Sequence, residues 1–152
     1  MIRPHLMVDI EALGLVPGSA IFQIAAQTFN PVTGEPGEAI DILIKPAAPF
    51  TIDSSTLDWH LDGGTYPLTA ERRALAVAPL LALYRLRHWL KAVGPVDTWW
   101  AWGATYDFPI LAALYAAFGE ETPWRYWQAR CARTVFNTLL PGVKATPKPH
   151  DA

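Results

Sequence analysis

One short stretch near the amino terminus decides the fold: residues 6–14, with the sequence LMVDIEALG. Its apolar residues are followed by two acids, with one isoleucine between them. Because side chains alternate along a strand, Asp9 and Glu11 are expected on the same face. Gly14 then starts a turn. The stretch therefore predicts a buried strand whose end presents two carboxylates.

The residues that follow favour an antiparallel meander. Residues 20–29 form a second apolar run, whose periodicity alone does not decide its structure. A turn signal follows at residues 30–34, and residues 39–44 have the composition of a third strand. Three strands joined by short turns are typical of a meander.

Beyond residue 50 the pattern changes to helices, with one short aromatic strand at residues 98–102. An α/β fold is therefore expected, with a mixed sheet of antiparallel and then parallel strands, flanked by helices. The predicted helices cover residues 56–61 with Ser54 or Ser55 as cap, 71–76 with Thr69 as cap, 79–93 with Pro79 in the first turn, 109–118 opening at Pro109, and a last one from near Thr134 to before Pro141.

Composition excludes several classes of protein. The chain has 152 residues, of which 51% are hydrophobic and 17% charged, so one folded domain is expected and disorder is not. No apolar run reaches the roughly 18–20 residues that span a bilayer, and no signal peptide is evident. A single cysteine, Cys131, excludes an internal disulfide framework and favours a cytoplasmic location.

The net charge of −2 conceals an asymmetry between two parts of the chain. Residues 1–71 hold two basic and nine acidic side chains, whereas residues 72–152 hold ten basic and five acidic ones. Such a distribution permits a nucleic-acid partner, although two solvated faces would also explain it.

Acids in apolar surroundings are the main chemical signal. Asp9 and Glu11 end a strand, and Asp107 lies between the aromatic strand and the next helix. Burying unpaired carboxylates is costly, and hard divalent cations prefer oxygen ligands. The alternatives are a strand end that reaches solvent for the first two acids, and an ordinary helix cap for Asp107.

Five segments of the chain resemble the DEDDh (DnaQ-like) 3′–5′ exonucleases, most closely the DexA-type phage enzymes. DIEALG at residues 9–14 resembles the first motif of these enzymes, and WGATYDFPIL at residues 102–111 resembles their second motif. STLDW at residues 55–59 resembles a short helix of that subfamily. Residues 127–139 resemble the segment before its last motif, and PHDA at residues 149–152 resembles the start of that motif.

The resemblance implies a ribonuclease H-like fold and release of nucleoside monophosphates from a 3′ end by two-metal hydrolysis. It assigns two divalent ions, Mg²⁺ or Mn²⁺, to three carboxylates. As the family pattern implies, Asp9 would bridge both ions, Glu11 would hold the ion on the nucleophile side, and Asp107 the ion on the leaving-group side. His150 is the implied general base, since imidazole titrates near neutral pH; the alternative is an unengaged tail residue.

Departures from the family pattern also lead to expectations. The family places a metal-binding Asp after the histidine and four further residues, but the chain stops two residues after His150, and Asp151 has the wrong spacing. We expect a single exonuclease-like domain over residues 1–152 that lacks the family's C-terminal helix. It would be either truncated or weakened in its metal site. A homodimer is one expectation, because the missing helix would leave an apolar face.

Several side chains are expected to contact the substrate. Ala12 stands where the family often has Thr, so its backbone, with that of Leu13, is the expected contact; Leu13 would wedge against a base or simply pack in the core. Aromatic side chains would stack on bases, and an arginine would contact phosphate. The expected substrate-binding residues are Ala12, Leu13, Gly14, Trp59, Trp102, Tyr106 and Arg133.

The sequence therefore predicts a metal-dependent 3′–5′ exonuclease that acts on single-stranded DNA or RNA. Two alternatives stay open. One is a nucleic-acid-binding pseudo-exonuclease that lacks cleavage, and the other is a protein-interaction module that uses exposed tryptophans.

Overall fold

The computed structural model describes residues 3–66 and 69–144, and within them five strands form one mixed sheet. The antiparallel meander is confirmed, and two parallel strands extend it, so the spatial order is third, second, first, fourth, fifth. The strands are β1 (His5–Ala12), β2 (Ile21–Phe29), β3 (Pro36–Leu43), β4 (Thr98–Ala101) and β5 (Ala129–Cys131).

Helices follow the meander and then alternate with the two parallel strands. A short 3₁₀ turn, Tyr126–Gln128, precedes β5. The helices are α1 (Ser54–Asp62), α2 (Ala70–Leu75), α3 (Pro79–Val93), α4 (Ala104–Ala117) and α5 (Ala132–Leu139). In the part of the chain described, none of them has the length and apolar character needed to cross a bilayer.

The two faces of β1 differ in burial. Its even-numbered residues, from Leu6 to Ala12, are buried in a core shared with α3 and α4. Its odd-numbered residues, from His5 to Glu11, are only half-buried. Side chains therefore alternate between the two faces of β1 as expected, and Asp9 and Glu11 lie on the more accessible face.

Two helix starts differ from the sequence prediction. Asp53, rather than Ser54 or Ser55, caps α1, and its carboxylate accepts the backbone N–H of Thr56 at 2.8 Å. Helix α4 starts well before Pro109, because the carbonyl of Gly103 already accepts the amides of the first turn. Since the cap of α4 is Gly103, the interpretation of Asp107 as a helix cap is wrong.

Candidate active site

A cleft of about 510 Å³ opens where β1 and β4 end. Because β1 and β4 are parallel, their carboxyl ends meet at one edge of the sheet, which is the usual place for a ligand site in α/β folds. The lining brings together seven of the residues singled out from the sequence. They are Asp9, Glu11, Trp59, Trp102, Tyr106, Asp107 and Arg133.

Asp107 is held against β1 by a specific hydrogen bond. The strands β1 and β4 pair only as far as Met7 and Trp100, so the amide of Ile10 has no partner on β4. That amide donates to Oδ1 of Asp107 at 3.1 Å. A hydrogen bond to a charged acceptor is among the stronger kinds. The bond holds the buried Asp107 against the backbone of β1 at Ile10, the residue between Asp9 and Glu11.

The negative charges of all three carboxylates act on Tyr106. Burial raises the pKa of Tyr106 to about 12, and the negative charges of Glu11, Asp107 and Asp9 contribute to the same shift. The phenol of Tyr106 consequently stays protonated at neutral pH. It places a neutral hydrogen-bond donor beside the three acids.

Arg133 and Asp107 both lie against Gly103. A Cβ built on Gly103 would lie 3.3 Å from Nη2 of Arg133 and 3.9 Å from Oδ2 of Asp107. The absence of a side chain at this position lets the guanidinium approach the acidic part of the cleft. Arg133 belongs to the first turn of α5, and Trp102, which also lines the cleft, packs on Phe136 of the same helix at a ring distance of 5.6 Å.

Helix α1 forms the opposite wall. Trp59 is 47% exposed and lines the cleft, while its neighbour His60 is buried. Nε2 of His60 lies 2.9 Å from the carbonyl oxygen of Ala12. A carbonyl only accepts, so Nε2 carries the proton. The ring of His60 also meets Trp59 edge-on, at a centroid distance of 4.8 Å.

The three residues directly after Glu11 do not line the cleft. Ala12 and Leu13 are 0% exposed, and Gly14 is buried so closely against Ser19 that a Cβ would lie 2.3 Å from its Oγ. Leu13 belongs to a second apolar cluster and does not line the cleft, so the alternative of core packing is the observed one. Leu15 lines the cleft instead and is 70% exposed.

Leu15 and His60 also line the cleft but were not predicted from the sequence. An apolar residue within a glycine-rich turn was the available signal for Leu15, since turns normally carry polar residues. The sequence holds no comparable signal for His60, because its role depends on the approach of α1 to the end of β1. The predicted general base, His150, lies outside the described residues.

The donor chemistry of the cleft fits a hard divalent cation. Asp9, Glu11 and Asp107 supply only carboxylate oxygens, which Mg²⁺ and Mn²⁺ prefer. Over residues 3–66 and 69–144, however, no three acidic, histidine or cysteine side chains lie close enough together to form a ready metal-binding group. The fit therefore rests on the kind of ligand and on the presence of all three acids in the lining of one cleft.

Several solved structures with the same fold are nucleases. Cell-death related nuclease 4 (CRN-4) matches with a TM-score of 0.69 and 11% identity, over 99% of this chain and 53% of its own. Exonuclease I without ligand matches with a TM-score of 0.71 and 18% identity, over 97% and 34%. Exonuclease I of E. coli, solved with a dT13 oligonucleotide, matches with a TM-score of 0.69 and 17% identity, over 96% and 32%.

These likenesses establish the ribonuclease H-like fold that the sequence predicts. The chain spans between about one third and one half of the length of these structures. No protein of curated function shows a significant match to the sequence.

The predicted resemblance to the DnaQ-like 3′–5′ exonucleases is confirmed by a family model together with these structural likenesses. A family model described as a 3′–5′ exoribonuclease Rv2179c-like domain matches residues 4–150. The chain belongs to this Rv2179c-like exoribonuclease domain family. The closer resemblance to DexA-type phage enzymes stays a prediction.

Proposed function

We propose that this chain removes nucleotides from the 3′ end of single-stranded RNA by metal-dependent hydrolysis. The observation that carries the proposal is the approach of Asp107 to the end of β1. The hydrogen bond from Ile10 brings an acid of α4 to the same cleft as Asp9 and Glu11. RNA is the proposed substrate because the family model describes exoribonucleases. A single strand is proposed because the similar E. coli exonuclease I is solved with a dT13 oligonucleotide.

Asp9, Glu11 and Asp107 are the residues that would hold Mg²⁺ or Mn²⁺. When bound, such ions lower the pKa of a water and stabilise the charge of the reacting phosphate. The protein's own contribution is the position of the three acids, two fixed by the pleat of β1 and one by the amide of Ile10.

The remaining side chains bind and orient the substrate. Arg133 supplies a cation for a phosphate, and the neutral phenol of Tyr106 supplies a donor. Trp59 and Leu15 present apolar surface to the terminal base from the α1 side. His150 remains the proposed general base.

A matched set of variants tests the proposal. Asp9→Asn and Asp107→Asn keep the shape of the side chain and remove its charge, and Asp58→Asn on the exposed side of α1 is the control. Metal ions contribute several kcal/mol to a phosphoryl-transfer transition state, so each cleft variant is expected to lose roughly 10²–10⁴ in kcat/KM. The control keeps wild-type activity.

The assay is cleavage of a 5′-labelled RNA dodecamer in Mg²⁺ or Mn²⁺. Equal activity of the wild type and Asp9→Asn would refute the proposal. Binding of the dodecamer without cleavage in either metal would refute it in favour of the pseudo-exonuclease. Neither binding nor cleavage at low salt, where phosphate contacts are strongest, would favour the protein-interaction module.

A further inference from the structure

A strongly basic segment leads away from the cleft. Residues 122–144 contain four basic side chains and no acidic one, although the whole chain has net charge −2. The segment includes the 3₁₀ turn, β5 and α5. Its charge complements a polyanion. The four basic residues are Arg125, Arg130, Arg133 and Lys144.

Two adjacent aromatic side chains in this segment are open to solvent. Tyr126 is 88% exposed and Trp127 is 57% exposed, whereas Trp99 and Trp124 are buried in the core. The rings of Tyr126 and Trp127 meet edge to face, with centroids 5.0 Å apart. Such an arrangement leaves ring faces open to a further planar group. Exposed aromatic faces of this kind can stack with the planar bases of a nucleic acid.

The aromatic pair stands on a well-supported turn. The side-chain amide of Gln128 donates to the carbonyls of Val96 and Asp97, both at 3.2 Å. The guanidinium of Arg130 donates to the carbonyls of Trp127 and Ala129. The bonds of Gln128 tie the turn to the segment before β4, and those of Arg130 hold its guanidinium against the backbone of the turn.

The same segment connects this turn to the cleft. Strand β5 begins directly after the turn and ends at α5, whose Arg133 lines the cleft. Its three residues advance the chain by about 10 Å. A strand of nucleic acid with its 3′ end in the cleft therefore needs only a few nucleotides to reach the aromatic pair.

We propose that Tyr126 and Trp127 form a stacking platform for nucleotides upstream of the 3′-terminal one. Arg125 and Arg130 contact the phosphates between the platform and the cleft. The inference rests on the proposed function for the polarity of the strand, with its 3′ end in the cleft. Stacking on open ring faces tolerates any base, which suits an enzyme that removes successive nucleotides.

Substrate length separates the platform from the cleft. The variant Tyr126→Ala/Trp127→Ala is expected to raise KM for an RNA dodecamer about tenfold, since stacking on aromatic side chains is of that order per base. The same variant is expected to cleave a dinucleotide at the wild-type rate, because a dinucleotide does not leave the cleft. Tyr84→Ala removes an exposed aromatic side chain of α3 and is the control.

Binding without metal makes the test independent of cleavage. In EDTA, the fluorescence anisotropy of a labelled dodecamer should report weaker binding by the double variant, and Arg125→Gln should lower the salt dependence of binding. Equal dodecamer affinity of the wild type and the double variant would overturn the platform, whether or not the wild type cleaves, and would favour a protein partner for these aromatics. Weaker binding by the double variant together with an inactive wild type would support the platform and refute the proposed function.

Discussion

The contrast between two leucines in the turn after β1 gives a prediction that can be worked out from the structure. Leu13 is 0% exposed and packs with Phe22 and Leu43 in the second apolar cluster. Leu15, two residues later, is 70% exposed and lines the cleft. Truncating each to alanine should therefore affect different properties, stability in the first case and substrate binding in the second.

The expected magnitudes follow from burial. A fully buried Leu→Ala change costs about 2–5 kcal/mol, and each kcal/mol lowers Tm by about 2–4 °C in a protein of this size. Leu13→Ala is therefore expected to lower Tm by about 4–20 °C. Full burial of a leucine side chain is worth about 1.5–3 kcal/mol, so Leu15→Ala, which removes less than a third of that, should cost under about 1 kcal/mol.

Leu15→Ala should instead raise KM for RNA. Losing apolar contact with the terminal base, at about 0.8 kcal/mol for each buried methylene, corresponds to roughly a three- to tenfold increase in KM. Leu75→Ala is the matched control, because Leu75 on α2 is 68% exposed and lies outside the cleft. Thermal denaturation and steady-state cleavage of labelled RNA measure the two effects.

Either of two results would refute this reasoning. One is a Leu13→Ala variant with wild-type Tm and a raised KM, which would assign the base contact to Leu13. The other is a Leu15→Ala variant that loses as much stability as Leu13→Ala, which would place Leu15 in the core.

Three further predictions concern the supports of the site. His60→Ala removes the donor to the buried carbonyl of Ala12 and should cost about 1–3 kcal/mol of stability and lower kcat/KM. His60→Gln keeps a donor and should recover kcat/KM more than Tm. Equal kcat/KM in both variants would contradict a positioning role for the hydrogen bond of His60. Gly14→Ala forces a methyl group into Ser19 and should destabilise the fold by about 1–3 kcal/mol, measured by urea denaturation; an unchanged midpoint would show that the turn yields freely. Hydrogen bonds from its α1 neighbours lower the pKa of Asp53. The contribution of its carboxylate to stability is therefore present above the unfolded-state pKa of about 3.9 and is lost as pH falls through the folded value. Circular dichroism should show less acid destabilisation of Asp53→Asn than of the wild type, and identical acid profiles would exclude this contribution.

Local sequence patterns were sufficient for the elements that carry the acids. The alternation around Asp9 and Glu11 predicted their shared face because side-chain direction in a strand depends only on position. The start of α4 could not be predicted in the same way. Pro109 is typical of a first helical turn, but the helix begins at Ala104, where Gly103 accepts the first hydrogen bonds. Such a start depends on how the chain leaves β4.

Contacts between distant segments were beyond the sequence. The hydrogen bond between Ile10 and Asp107 joins residues 97 positions apart, and it depends on where the pairing of β1 with β4 ends. Strand β5 has three residues, too few for a periodic signal that would predict a strand. Leu13 and Leu15 are the same residue type in the same turn. Only the position of the second apolar cluster distinguishes the buried leucine from the exposed one.

The central claim is that an acidic cleft at the end of β1 removes nucleotides from a 3′ end. The most direct test compares two RNA dodecamers of one sequence, labelled at the 5′ or the 3′ end, in Mg²⁺ or Mn²⁺ with the wild type and Asp9→Asn. We expect the wild type to shorten the 5′-labelled RNA through a ladder of successive products and to release labelled mononucleotide from the 3′-labelled RNA at once. We expect Asp9→Asn to produce neither result. A ladder from the 3′-labelled strand, internal cleavage, or equal activity of Asp9→Asn would contradict it.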